Sequence, residues 1–337
     1  MSGEPRTRAD QFRETHPGSS VELSYAGINT FLKAPHRPVD ELGEADVGVI
    51  GAPYDSAVSN RPGTRYGPDA IRRASNWWAY LSGYKGGLTN MQTGKQVDFS
   101  EFSVVDCGDA PIFPMDVDTT AESIRAHVAT IADQAFPVLL GGDHYCTYPA
   151  FCGFAEGTNA DSVGLVQIDA HTDTNEESAV FGEDFHGSST HHIANSEYSD
   201  YEHISQIAIR GYEAPEFFEF VETEGLNLYT MRDVERDGIT SVVEEAVAAA
   251  AEDTDAVYVT FDIDGVDPSV APGTGTPVPG GLTTHQAIRV MEILGSTDAV
   301  GGIDLMEVAP KYDPTENTEQ LAAYLLVTFL ERKFAEL

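Results

Sequence analysis

Val163-Gly164-Leu165-Val166-Gln167-Ile168-Asp169-Ala170-His171-Thr172-Asp173 is the stretch that decides the fold. Its first six residues are mostly apolar and lack strict in–out alternation, the pattern of a strand buried on both faces of a parallel sheet. The stretch then turns abruptly polar. Three others do the same. Val138-Leu139-Leu140 runs into Gly141-Gly142-Asp143-His144. Residues 257–261 run into Asp262-Ile263-Asp264-Gly265-Val266-Asp267-Pro268, and 300–303 run into Asp304-Leu305-Met306-Glu307. Open parallel sheets bind ligands beyond the carboxyl ends of their strands. Four segments therefore bring histidines and acids to one sheet edge.

Outward from this stretch, apolar runs at 46–50, 102–106, 137–140, 163–168, 206–210, 226–229, 256–261 and 299–304 predict about eight strands. Helical patterns at 119–134, 234–252, 283–294 and 317–334 lie between them, the first capped by Asp118 or Thr119 and the third by Thr283 or Thr284. The alternation predicts a mainly parallel α/β sheet with helices on both faces. With no internal repeat and no low-complexity linker, residues 41–337 read as one domain preceded by an irregular arm, 1–40. The Gly-rich, aromatic stretch 77–100 reads as a long surface loop.

Among the 337 residues, 55 acids face 19 bases, a net charge of −36, and only five of the bases are lysine. A phosphate backbone would be repelled, which excludes nucleic acid as a partner. No apolar run approaches a membrane span, and the charged N-terminus lacks a signal core, so a cytoplasmic location is expected. The three cysteines form no CxxC pair, which agrees with a reducing compartment. The acids are spread evenly, as in Glu213, Glu216, Glu219 and Glu222. Such a coat suits a halophilic cytoplasm. Because roughly one residue in six is acidic, an isolated Asp-x-Asp says little; histidine, glycine and proline positions carry more weight.

Residues i and i+2 of an extended segment point the same way. Asp169, His171 and Asp173 thus share a side, as do Asp262 and Asp264, and His144 makes a sixth donor. Carboxylate-rich sites with a minority of imidazoles favour Mn²⁺ over zinc. Four carboxylates also match the charge of two divalent ions. Without cations they would repel one another. Asp143 and Asp267 read as supports for these donors, and Asp106 and Asp109 as loop caps.

The motifs GGDHYCTYPA (141–150), DAHTDT (169–174), FDIDGVDPSVAPGTGTPVPGG (261–281) and DLMEVAP (304–310) resemble the ureohydrolase superfamily of arginases and agmatinases. YAGINTFLKAP (25–35), VGVIGAPYDSA (47–57) and RPGTRYGPDAIRRAS (61–75) look like its agmatinase branch. The resemblance implies a three-layer α/β/α fold, a homotrimer or homohexamer, and two Mn²⁺ per subunit (Ni²⁺ or Co²⁺ as alternatives) on His144, Asp169, His171, Asp173, Asp262 and Asp264. It implies hydrolysis of a small cationic guanidino substrate to urea and an amine. Asp173 would orient the attacking water, His186 would move a proton, and Glu307 would hold the guanidinium. Agmatine, giving putrescine, leads. Guanidinobutyrate, guanidinopropionate, arginine, formiminoglutamate and free guanidine are alternatives within the class. A different two-metal hydrolase and a non-catalytic member are alternatives outside it.

Two departures from the agmatinase pattern, Tyr145 and the run Ser188-Ser189-Thr190-His191, bear on the substrate's non-reacting end. Arg61, Arg65, His191 or Asn195 would suit a substrate carboxylate. Glu183, Asp184 or Tyr145 would suit an amine tail.

Overall fold

The computed structural model describes residues 23–335 apart from 98, 100 and 101. Among these, eight strands form one sheet in the order β4-β1-β5-β10-β9-β6-β7-β8: β1 Val47–Gly51, β4 Val104–Asp109, β5 Phe136–Leu140, β6 Val163–Ile168, β7 Ile204–Ile209, β8 Asn227–Thr230, β9 Ala256–Asp262 and β10 Val300–Met306. Every pairing in it is parallel. All eight apolar runs read from the sequence are strands of this sheet, with ends shifted by up to three residues.

Successive side chains alternate between two cores, which gives three layers. Val138 and Leu140 join the core containing Val166, Val259 and Ile303, while Leu139 joins the core containing Leu165, Tyr258 and Met306. Helices α1 (Gly67–Lys85), α7 (Ile239–Ala250), α8 (Thr284–Gly295) and α9 (Asn317–Phe334) bury Ile71, Val243, Val290 and Leu325 in the first core. Helices α2 (Val117–Ala132), α3 (Thr147–Thr158), α4 (Ser189–Ala194) and α5 (Phe217–Glu224) bury Ile124, Phe151, Ile193 and Phe217 in the second. The four strands that end in polar clusters, β5, β10, β9 and β6, are consecutive at the sheet centre. Their loops therefore meet.

Several local expectations are corrected. The stretch 77–100 is no single loop: residues 77–85 are the second half of α1, and a small hairpin of β2 (Leu88–Thr89) and β3 (Gln96–Val97) follows. The pattern at 234–252 is split at Gly238 into α6 (Met231–Asp237) and α7, because Gly238 takes φ 84° and ψ 145°, closed to other residues. Asp116, rather than Asp118 or Thr119, caps α2 by accepting the Thr119 N–H. Thr283 caps α8 in a capping box with Gln286. Of the arm 1–40, residues 1–22 lie outside the described residues. The remainder is irregular apart from short turns at Phe31–Lys33 and Val39–Glu41. It is pinned by a fully buried Phe31, whose N–H donates to Asp106 Oδ2.

Asp106 and Asp109 are more than loop caps. Asp106, buried within β4, pairs with Arg72 of α1 at 2.9 Å, and Asp109, the last residue of β4, pairs with the same guanidinium at 2.6 Å. Arg72 so ties the first helix, the edge strand and the arm together.

Candidate active site

The chain bends sharply where β5 ends. A Cβ on Gly142 would lie 1.8 Å from the Tyr54 carbonyl, so only glycine lets the loop after β1 pass so close. The Gly142 carbonyl accepts the Glu307 N–H, which joins the loops after β5 and β10. Asp173 and Glu307 are non-glycine residues in the left-handed region, at φ 49° and 64°. Such strain concentrates at functional sites.

The six donors read from the sequence fall into two groups that share Asp169. His144 Nδ1 lies 2.9 Å from Asp173 Oδ2, 3.0 Å from Asp169 Oδ2 and 3.3 Å from Asp262 Oδ2. His171 Nδ1 lies 3.1 Å from Asp264 Oδ2 and 3.6 Å from Asp169 Oδ1. Asp262 and Asp264 face different groups, because the chain turns at Ile263–Gly265, where the Asp264 N–H donates to Asp262 Oδ1. The other oxygen of Asp264 accepts the Ala170 N–H, and Asp169 Oδ1 accepts the His171 N–H. Backbone amides thus aim the carboxylates.

The donor set fits divalent cations. His144 Nδ1 is buried and faces three carboxylate oxygens, yet forms an aligned hydrogen bond to none, while its Nε2 meets Thr260 Oγ1 at 2.9 Å. Burial and the neighbouring charges of Asp264 and Asp169 push the Asp262 carboxyl well up. Burial and Asp169 likewise raise Asp173. Burial favours a neutral His171, but Asp264 and Asp169 overcome it and raise the imidazole to about 12. Without cations the cluster holds protons that metal would displace.

Beside the donors opens a cleft of about 170 Å³ lined by Ser59, Asp173, Phe185, His186, Glu213 and Thr276, among others. His186 Nδ1 lies 3.0 Å from Glu307 Oε1, which also accepts the His144 backbone N–H. Among the described residues, Glu307 Oε2 is buried without a hydrogen-bond partner. His186 Nε2 accepts the Ser59 N–H at 3.0 Å and lies 2.6 Å from Ser59 Oγ. A hydroxyl donates or accepts, so Ser59 can meet His186 in either protonation state. Burial lowers the His186 pKa, but the Glu307, Asp173 and Asp143 carboxylates raise it to about 9.

Among the described residues, the Asp143 and Asp267 carboxylates make no hydrogen bond to the donor side chains. Asp143 Oδ2 accepts the Ala57 N–H, and Asp267 accepts the N–H groups of Ser269, Gly280 and Gly281. Asp267 therefore staples the Gly/Pro loop. Tyr145 lines a separate pocket with Tyr148 and Asp184 and donates to Asp184. Ser59 and Glu213 escaped the sequence reading. Both lie in loops just beyond the carboxyl ends of strands, β1 and β7, and Glu213 was hidden within the acidic coat.

Residues 45–331 match the model of the arginase family. The chain belongs to the arginase family. It is 37% identical to an agmatinase of Chromobacterium violaceum over 93% of this chain and 91% of that protein. It is 34% identical to a guanidinobutyrase of Pseudomonas aeruginosa over 93% of this chain and 94% of the other. The structure of proclavaminate amidino hydrolase from Streptomyces clavuligerus superposes with a TM-score of 0.79 at 31% identity, covering 93% of this chain and 99% of that one. The protein is thus an arginase-family hydrolase with an arginase-like α/β fold. The arginase family is one of binuclear metal enzymes, and this member has two donor groups that could hold metal.

Proposed function

We propose that the protein hydrolyses agmatine to urea and putrescine. His144, Asp169, Asp173 and Asp262 would hold one Mn²⁺, and Asp169, His171 and Asp264 would hold a second. The carrying observation is the pair of donor groups sharing Asp169 beside a cleft that also presents His186. Bound there, such ions would supply a water activated for attack near neutral pH. Asp173 accepts a hydrogen bond from the attacking water and orients it. The free oxygen of Glu307 accepts from the guanidinium, whose planar donors suit a carboxylate. As the carbon–nitrogen bond breaks, His186 delivers a proton to the leaving amine.

The groups around the cleft favour an amine tail over a carboxylate. Arg61 donates to the Thr274 and Gly275 carbonyls and lies over the Tyr312 ring at 4.4 Å. Arg65 pairs with the buried Asp55, His191 meets the Tyr201 hydroxyl, and Asn195 donates to the His191 carbonyl. Every cationic or amide candidate is engaged elsewhere. Glu213 lines the cleft and accepts only the Thr172 hydroxyl among the described residues. Agmatine should therefore exceed 4-guanidinobutyrate in kcat/KM, and Glu213→Gln should narrow that ratio by raising KM for agmatine. Faster turnover of the carboxylate substrate by the unaltered protein would overturn this choice.

We also read residues 41–337 as one ureohydrolase domain from a halophilic cytoplasm, assembled as a homotrimer or homohexamer. No described helix is long and apolar enough to cross a membrane. Exposed Tyr25, Ile28, Trp77 and Tyr84 on the arm and α1 support self-association. Light scattering in molar KCl tests it.

A further inference from the structure

The run Ser188-Ser189-Thr190-His191, set apart in the sequence from the agmatinase pattern, meets the donor cluster through a buried amide. Thr190 of α4 is buried, and its hydroxyl donates to Gln167 Oε1 at 2.7 Å. Gln206 Nε2 donates to the same oxygen at 2.8 Å and also reaches the Thr172 carbonyl. Gln167 and Gln206 are fully buried and face each other in register on the neighbouring strands β6 and β7. With Oε1 taken by two donors, the Gln167 amide has one orientation left. Its Nε2 faces Asp169 Oδ2 and donates at 2.8 Å. The opposite oxygen, Asp169 Oδ1, is held by the His171 N–H. Asp169 is the carboxylate common to both donor groups.

We propose that Gln167, locked by Thr190 and Gln206, is a positioning residue that fixes the plane of the Asp169 carboxylate so that one oxygen serves each metal. Thr190 then acts on the metal side of the site, not on the substrate's tail. The physical reasoning is the usual one for groups behind a ligand. An amide fixed at its oxygen, whose nitrogen donates to Asp169 Oδ2 at 2.8 Å and at 3.5 Å to the His171 carbonyl, sets the ligand's orientation before the ion arrives. Free rotation of the carboxylate would have to be frozen on binding instead.

The inference rests on the metal reading of the site, and one experiment separates the two. Mn²⁺ is titrated calorimetrically into chelator-treated wild type, Thr190→Val, Thr190→Ser and Gln167→Met, with the melting temperature of each metal-free protein recorded. Thr190→Val keeps the shape and removes the donor; Thr190→Ser restores it. We expect Mn²⁺ dissociation constants raised about tenfold in Thr190→Val and Gln167→Met, with Thr190→Ser close to wild type. Wild-type affinity in Thr190→Val and Gln167→Met, with only their melting temperatures lowered, would reduce the network to packing and overturn the inference while leaving the metal site standing. A wild type that binds no Mn²⁺ would overturn both. If Gln167→Met fails to fold, the Val and Ser pair at position 190 still decides.

Discussion

His186 is held from both sides, by Glu307 at Nδ1 and by the Ser59 hydroxyl at Nε2. A proton shuttle needs this: a fixed ring with partners that tolerate either charge state. His186→Ala should lower kcat by about 10²–10⁴-fold, the range for a general acid–base group, while two Mn²⁺ still bind in a metal titration. Loss of metal would make it a ligand. The pH response of the chelator-treated protein follows from the same residues. Burial, then the charge of Glu307, pushes the Asp143 carboxyl up to about 8, and His186 is raised to about 9. Both pKa values are raised above their ordinary values near 3.9 and 6.5, so the folded state holds more protons than the unfolded one. The Asp143 contribution to stability is complete below about pH 4 and is lost as pH rises through 8; that of His186 is complete below about 6.5 and is lost through 9. Between pH 6.5 and 9 both act in one direction. The melting temperature should fall across this window, and added Mn²⁺ should reverse most of the fall. A flat profile would refute the linkage. At this scale the histidines and the acids of DAHTD were legible because each follows an apolar strand. Ser59, Gln167 and Thr190 were not, because their roles depend on partners tens of residues away.

At the scale of elements, the strands could be read because burial on both faces leaves unbroken apolar runs. Helices fared less well. In α3, Gly153 and Gly157 let α2 pack so close that a Cβ at either would sit 2.3 Å from a carbonyl of α2. Glycine four residues apart looks like a helix breaker in sequence and serves close helix packing in the fold. Helix α1 was hidden by its aromatic second half, where Trp77, Tyr80 and Tyr84 stack along one side instead of entering the core. Its anchor is Arg72, nearly buried against Asp106. Arg72→Met would leave Asp106 buried without its cation and should cost about 3 kcal/mol in urea unfolding. A cost under about 0.5 kcal/mol, the scale of exposed pairs, would show that the pair adds nothing to the anchoring of α1.

At the scale of the molecule, a net charge of −36 makes self-repulsion a destabilising term that salt removes. In 1 M KCl the screening length is about 3 Å. The melting temperature should therefore climb from 0.2 to 3 M KCl, and a constant value would remove the halophilic reading. Charge was the most visible property of the sequence and the least informative about the site. It hid Glu213, an acid lining the cleft beside the donors, among many that only face solvent. The central placement of β5, β10, β9 and β6 turned four separate motifs into one site. The most direct test of the whole account is urea release in molar KCl from agmatine and the other guanidino compounds, with Mn²⁺ supplied and then removed by a chelator. We expect urea and putrescine in equal amounts from agmatine, lost with the metal and restored on its return. No urea from any of these compounds with Mn²⁺, Ni²⁺ or Co²⁺ present would contradict the account.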